Sequence, residues 1–217
     1  VRTNLKNYLN VNEPRIHNFF VSSYYKPTSS LYGRITFGYL ETMYAGLSSE
    51  LLFAPSEKKI SFGAEVNFVE AREFRQLLNT RKLNGLQKVN GHLSTYWDTN
   101  YYDYFAQLDI GRYLAGDKGG TLTLSRNFQN GWQVGGYFTL TDASFDDFGE
   151  GSFDKGFFFK IPLNSFVPYE TRSSFKENIR PIQGDGGARL SVPGRLNEMV
   201  SEYKTNRINS TWSRIWH

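Results

Sequence analysis

The residues of this 217-residue chain whose types could do chemistry fall into three groups: three histidines, a cluster of carboxylates, and charges set singly into alternating stretches. The histidines are His17, His92 and His217. None has the HExxH or other paired spacing of a zinc site. His92 lies two residues from Ser94 on one stretch, but a hydrolase would need a third partner that no spacing marks. Asp146, Asp147, Glu150 and Asp154 stand among Gly149 and Gly151. Hard oxygen ligands on such a loop can hold calcium. The spacing departs from an EF-hand, so a solvated acidic loop or a turn tied to Lys155 is the plainer reading. The GDGG at 184–187 lacks the following Lys-Ser/Thr and the strand-to-helix setting of a phosphate loop. No catalytic residue, metal or cofactor is expected, and the chain reads as a non-enzyme.

The third group is Arg34, Glu50, Glu65, Asp109, Arg112 and Lys160. All six are expected to line an interior. Such charges can border a hydrophilic passage, hold a plug, or satisfy one another pairwise. Tyr32, Tyr96, Phe105 and Tyr137 accompany them, and their rings could stack on the C–H faces of sugars. An interfacial girdle or ordinary packing is the other reading of the same rings.

Alternation positions these residues. Over 31–68, Leu31, Ile35 and Phe37, then Leu47, Leu51 and Phe53, then Ile60, Phe62, Val66 and Phe68 recur at every second place. Arg34, Glu50 and Glu65 fall on the other side. A period of two makes these strands, apolar on one face only. Similar stretches at 15–25, 91–98, 101–113, 121–128, 132–141, 157–163 and, more weakly, 170–179 bring the expectation to about ten strands. Asn130-Gly131 is a strong hairpin signal between two of them. Charged or acidic connections are expected at 70–90 and 142–155. Residues 1–12 are ambiguous. Residues 195–208 place Leu196, Met199, Val200, Tyr203 and Ile208 on one helical stripe, with Trp212 and Trp216 beyond. This amphipathic helix could sit inside a barrel, lie at a membrane interface or dock on a partner.

The same pattern suits a soluble sandwich or an outer-membrane barrel. Several strands reach the 9 to 11 residues or so that a tilted membrane crossing needs, and aromatics gather at their ends. Tyr, Phe and Trp make up 17% of the chain and mean hydropathy is −0.50, with no long apolar run. These features favour an all-β, antiparallel transmembrane barrel, of which this chain supplies about ten strands, either the whole ring or part of a larger one. Ile35, Phe62, Leu108 and Phe138 are then expected against acyl chains and not against a second sheet. Residues 1–180 would form the wall and 181–217 a basic tail with its helix. Counted from the sequence, 1–170 balances 17 basic against 17 acidic residues, and 171–217 carries 8 against 4. Such a tail could meet lipid headgroups or an acidic polymer, or simply be solvated. The chain has no Cys and starts at Val1, which reads as a processed or partial chain.

Five stretches carry a family resemblance: GYLETMYAGLSSELLF (38–53), GHLSTYWDT (91–99), GRYLAGDKGGTLTLSR (111–126), FGEGSFDKG (148–156) and RPIQGDGGARL (180–190). In that order they resemble the C-terminal part of the longer YjbH/GfcD family chains. The resemblance implies an outer-membrane β-barrel in exopolysaccharide or group 4 capsule production. Its implied partners are outer-membrane lipids, the polysaccharide, and other subunits of an export assembly or the remaining N-terminal part of such a protein. It implies no nucleic acid, and it supplies no catalytic residue. Export through a hydrophilic lumen in the bacterial outer membrane is the expected role. A soluble all-β carbohydrate-binding module and a non-conducting barrel that scaffolds lipoproteins are the alternatives.

Overall fold

A computed structural model describes residues 8, 16–74, 80–81, 89–99, 101–128, 130–144, 153–163, 174–181 and 186–201. The strands are β1 (Phe19–Tyr25), β2 (Leu31–Tyr39), β3 (Tyr44–Phe53), β4 (Ile60–Arg72), β5 (Thr80–Arg81), β6 (Val89–Asp98), β7 (Tyr104–Arg112), β8 (Lys118–Asn127), β9 (Gln133–Thr141), β10 (Asp154–Pro162) and β11 (Ser174–Ile179). Ten of them form one antiparallel meander in chain order, with β5 paired only to β4. The sheet is open, with β1 and β11 at its edges. At the Asn130-Gly131 turn, Gly131 has φ +87° and its N–H donates to the Phe128 carbonyl at 2.9 Å.

The two faces are inverted relative to a sheet that packs on a core. Arg34, Thr36, Ser48, Glu50, Glu65, Asn67, Asn90, His92, Ser94 and Asp109 are buried on one face. The other exposes Phe37 (67%), Leu93 (68%) and Phe157 (72%). Ile35, Phe62, Leu108 and Phe138 are not sealed in a core, being 44%, 54%, 41% and 41% exposed.

The polar face of the first strands is covered by residues 186–200, here called the strap. The strap ends in a short helix, α1 (Leu196–Val200). Near one rim, Ala188, Leu190 and Val192 join Tyr8, Leu40, Met43, Tyr44, Val69, Ala71 and Leu114 in an apolar cluster. Toward the other rim, Leu196 packs with Leu52, Ala54 and Tyr96. Between these apolar layers lies the polar one.

Two expected boundaries move. The connection placed at 70–90 begins later, because β4 runs on to Arg72, where the buried Val69 and Ala71 enter the first cluster. Of the helix expected at 195–208, residues 196–200 are helical, and 202–208 lie outside the described residues. Trp212, Trp216, His217, Asp146, Asp147 and Glu150 also lie outside them.

Gly38 and Gly46 face each other across β2 and β3 with φ +137° and +152°. A Cβ at Gly46 would collide with the Phe68 carbonyl oxygen of β4. Gly46→Ala is therefore expected to cost roughly 1–3 kcal/mol, read as a lowered denaturant midpoint. Gly120→Ala, whose Cβ would meet nothing closer than 3.3 Å, is the control.

Candidate functional site

The site is the polar layer between wall and strap. Arg34 on β2 pairs with Glu50 on β3, its cross-strand neighbour, at 2.9 Å. Glu50 is in turn opposite Glu65 on β4. Two carboxylates facing each other across a ladder repel, and the strap supplies what offsets this. Arg195 grips Glu65 with two hydrogen bonds, Nε at 2.8 Å and an Nη at 3.1 Å, and donates to the Leu190 carbonyl at 2.7 Å. Arg189 reaches Asp109 on β7 at 2.9 Å and Glu65 at 3.9 Å. The Leu196 N–H, at the start of α1, donates to both Glu50 oxygens at 3.2 Å.

Neutral groups complete the layer. Asn67 donates to Glu65 at 3.0 Å and to Asn90 at 2.9 Å. Ser94 and Gln107 donate to Asp109. Arg34 also donates to Ser48 at 3.2 Å and to the Pro193 carbonyl of the strap at 3.1 Å. Within this layer, among the described residues, the wall sets Arg34 against Glu50, Glu65 and Asp109, and the strap brings Arg189 and Arg195. Opposite charges thus balance only when the strap is docked. Burial opposes the Arg195 charge, but the adjacent Glu65 carboxylate outweighs it and raises the guanidinium pKa above its ordinary value.

Further contacts tie the strap toward the first rim. The Leu114 N–H donates to the Ala188 carbonyl at 2.9 Å, the Gly187 N–H to Asp117 at 2.8 Å, and the Ser191 N–H to Glu41 at 3.0 Å. Beside them, burial pushes the Tyr113 phenol up to about 12, so it remains a hydroxyl and bonds Thr121 at 2.6 Å. His92 is buried edge-on to the Tyr113 ring at 4.6 Å. Ser94 bonds Asp109, on the strand opposite.

Four of the six expected interior charges, Arg34, Glu50, Glu65 and Asp109, come together here. Lys160 lies on the polar face but on β10, where it pairs with Gln133 and Lys176. Arg112 corrects the expectation. It is three residues from Asp109 and in register with Gly91, so it falls on the face of Leu108 and Ile110, at the end of β7. There its Nε donates to the Gly116 carbonyl at 3.2 Å. Of the aromatic candidates, Tyr32, Tyr96 and Phe105 pack around Leu196 and Val200 of α1, and only Tyr137 stands apart on β9. Sequence reasoning missed Arg189 and Arg195. Their signal was an excess of inward acid on the wall matched by an excess of base after residue 170.

The fold and site define an all-β protein, one antiparallel sheet with an exposed apolar face and a polar face partly covered by its own chain. A family model described as "Exopolysaccharide biosynthesis protein YbjH" matches residues 1–202. The chain is 35% identical over 207 residues to the protein named "Uncharacterized lipoprotein YjbH" of Escherichia coli (strain K12), covering 95% of this chain and 30% of that protein. The chain therefore belongs to the YjbH exopolysaccharide biosynthesis family, and it spans about a third of the length of the curated relative. No solved structure matches it.

Proposed function

We propose that this chain forms wall of a β-barrel in the bacterial outer membrane and assists export or surface assembly of an exopolysaccharide. It would act through a hydrated, charged interior, with no chemistry on the sugar. The observation that carries this reading is the inversion of the sheet, with charges and amides sealed on one face and Phe, Leu, Ile and Val presented on the other. That distribution suits a wall between lipid and a polar interior. Membership of an exopolysaccharide biosynthesis family supports the substrate class. In a bilayer the edges of β1 and β11 must be paired, because no water is present to satisfy their backbone groups. Either they meet each other or further strands complete the ring. The partners are then outer-membrane lipid, the polymer, and other parts of an export assembly.

A second reading is favoured by the strap. A wall whose interior is filled along β2 to β7 suits a non-conducting barrel that scaffolds other proteins. Conductance in planar bilayers separates the two, since a channel passes current and a scaffold stays silent.

The test of the membrane wall is to place a cation on the outer face. Phe62→Lys or Leu93→Lys is expected to cost about 2–4 kcal/mol if the position lies near the bilayer midplane, read as loss of insertion into vesicles and of heat-modifiable gel mobility. A chain that is monomeric without detergent, with both variants as well folded as the parent, would overturn the reading.

A further inference from the structure

We infer that Arg126 and the rings beside it form, on the exposed apolar face of the sheet, a seat for the phosphate of an anionic membrane-lipid headgroup. The inference rests on the membrane reading above for its setting, and on a separate side chain for its site.

A period of two carries the apolar face of β8 through Leu122 and Leu124 to Arg126. The cross-strand neighbours of Arg126 are Tyr104 on β7 and Val134 on β9. In a wall that meets lipid, a fixed cation is costly near the bilayer midplane and tolerated close to the water. Arg126 lies one residue from the end of β8, and Phe128 opens the turn that follows. Aromatic residues gather at this end, where Tyr101, Tyr102, Tyr104 and Phe128 are all exposed. The guanidinium stands 4.8 Å from the centre of the Phe128 ring and 5.8 Å from that of Tyr104.

Its charge is otherwise unmatched. Among the described residues the Arg126 side chain makes no hydrogen bond and no ion pair. By contrast Arg34, Arg72, Arg112, Arg189 and Arg195 each reach a carboxylate or a carbonyl. No acid occupies a neighbouring place on this face, since Leu124 and Phe128 flank Arg126 along the strand and Tyr104 and Val134 lie across from it. Asp103 is exposed on the adjoining turn, where its carbonyl accepts the Asn127 N–H at 3.0 Å. Its carboxylate forms no ion pair with Arg126.

Rings attract a cation by about 0.5–1 kcal/mol at an exposed site, which holds the guanidinium in place without neutralising it. Nε is buried without a partner, and the Nη groups are left to receive a ligand. A planar fork of N–H donors matches two phosphate oxygens in a charge-assisted pair. Leu122 and Leu124, further along the same face, then lie under the acyl chains. A lipid phosphate gains both contacts, and free phosphate gains only the first.

The test is native mass spectrometry of the full protein released from uncharged detergent micelles. The probes are dioleoylphosphatidylglycerol, dioleoylglycerol, which has the same tails and no phosphate, and inorganic phosphate. The anionic lipid is expected to bind at least about tenfold more tightly than the neutral one, and inorganic phosphate at equal concentration to leave it in place. Arg126→Gln should lower its affinity to that of the neutral lipid. Arg126→Lys, which keeps the charge and loses the fork, should fall between. Arg112→Gln, which removes an arginine of the same face already bonded to Gly116, should bind as the parent does. Each variant is compared with the parent for heat-modifiable mobility, so that loss of binding is read only on folded protein. Equal binding of the two lipids, or anionic binding that survives Arg126→Gln, would overturn the inference. So would an equal loss in Arg112→Gln, which marks a general attraction to cations, or displacement by inorganic phosphate, which marks a free-anion site. A protein that inserts into vesicles yet holds both lipids equally leaves the membrane wall standing and removes only this site. One that is monomeric without detergent removes both.

Discussion

Glu65→Gln is expected to destabilise the folded protein by about 3–5 kcal/mol, the range for breaking a buried ion pair from one side. Glu65 is the point where the layer converges. It accepts two hydrogen bonds from Arg195 and one from Asn67, and it stands within 3.8 Å and 3.9 Å of Arg34 and Arg189. An amide of the same shape leaves volume and packing intact but offers a donor where Arg195 needs an acceptor. Three guanidinium groups would then share Glu50 and Asp109. The measurement is the denaturant midpoint of the heat-modifiable form. Removing the partner charge as well, in Glu65→Gln with Arg195→Met, should recover much of the loss, since an absent pair costs less than a broken one. A midpoint for Glu65→Gln within about 0.5 kcal/mol of the parent would mean that the pairs contribute nothing. Arg112→Ala is the matching control, lying at a strand end outside the network, and should stay within that margin.

Arg195→Glu is expected to release the strap. The parent residue joins Glu65 and the Leu190 carbonyl. Its reversal would set a fresh carboxylate against Glu50 and Glu65 in a layer closed to water. Losing the bidentate pair and adding like-charge repulsion costs at least as much as the broken pair above. A shift of that size lowers the docked-to-released equilibrium constant by a factor of hundreds or more. Two readouts follow. Trypsin should cut after Arg189 in the variant and spare it in the parent, and conductance should rise if the strap obstructs a passage. Faster proteolysis with unchanged conductance would assign the strap to holding the wall together, as a scaffold requires. An intact, protected strap in Arg195→Glu would show that the apolar contacts of Leu190, Val192 and Leu196 suffice to hold it.

Much of the wall was legible because its contrast is high where it matters. Ile35 to Phe37 and Phe62 to Phe68 alternate cleanly, and Leu47 to Phe53 does so but for Ser49 and Leu52, so the faces follow directly from a period of two. Legibility failed at the rims. At the end of β4 the inner face turns from polar to apolar as Val69 and Ala71 enter the first cluster, while Glu70 and Arg72 look like loop charges. Arg112 was misplaced for a simpler reason, because residues three apart on a strand cannot share a face. The candidate site was half visible. Its wall charges stand out as singular, but their partners lie in a segment that reads as a solvated basic tail. Nothing local in Arg189 or Arg195 says which carboxylate each will meet. The aromatic candidates Tyr32, Tyr96 and Phe105 went to the strap helix for the same reason, since a sequence does not show what lies across the interior.

The long reach of the strap sets an order of events for biogenesis. Arg195 finds Glu65 across 130 residues of chain, and Arg34 finds the Pro193 carbonyl across 159. Contacts so remote carry a large loop-closure penalty and form late. If the strands zip up hairpin by hairpin, Glu50 gains Arg34 early, but Glu65 and Asp109 wait for Arg195 and Arg189. A chain cut short of residue 186 should therefore be degraded faster than one that carries Arg189 and Arg195, a difference that a pulse-chase of the two would read.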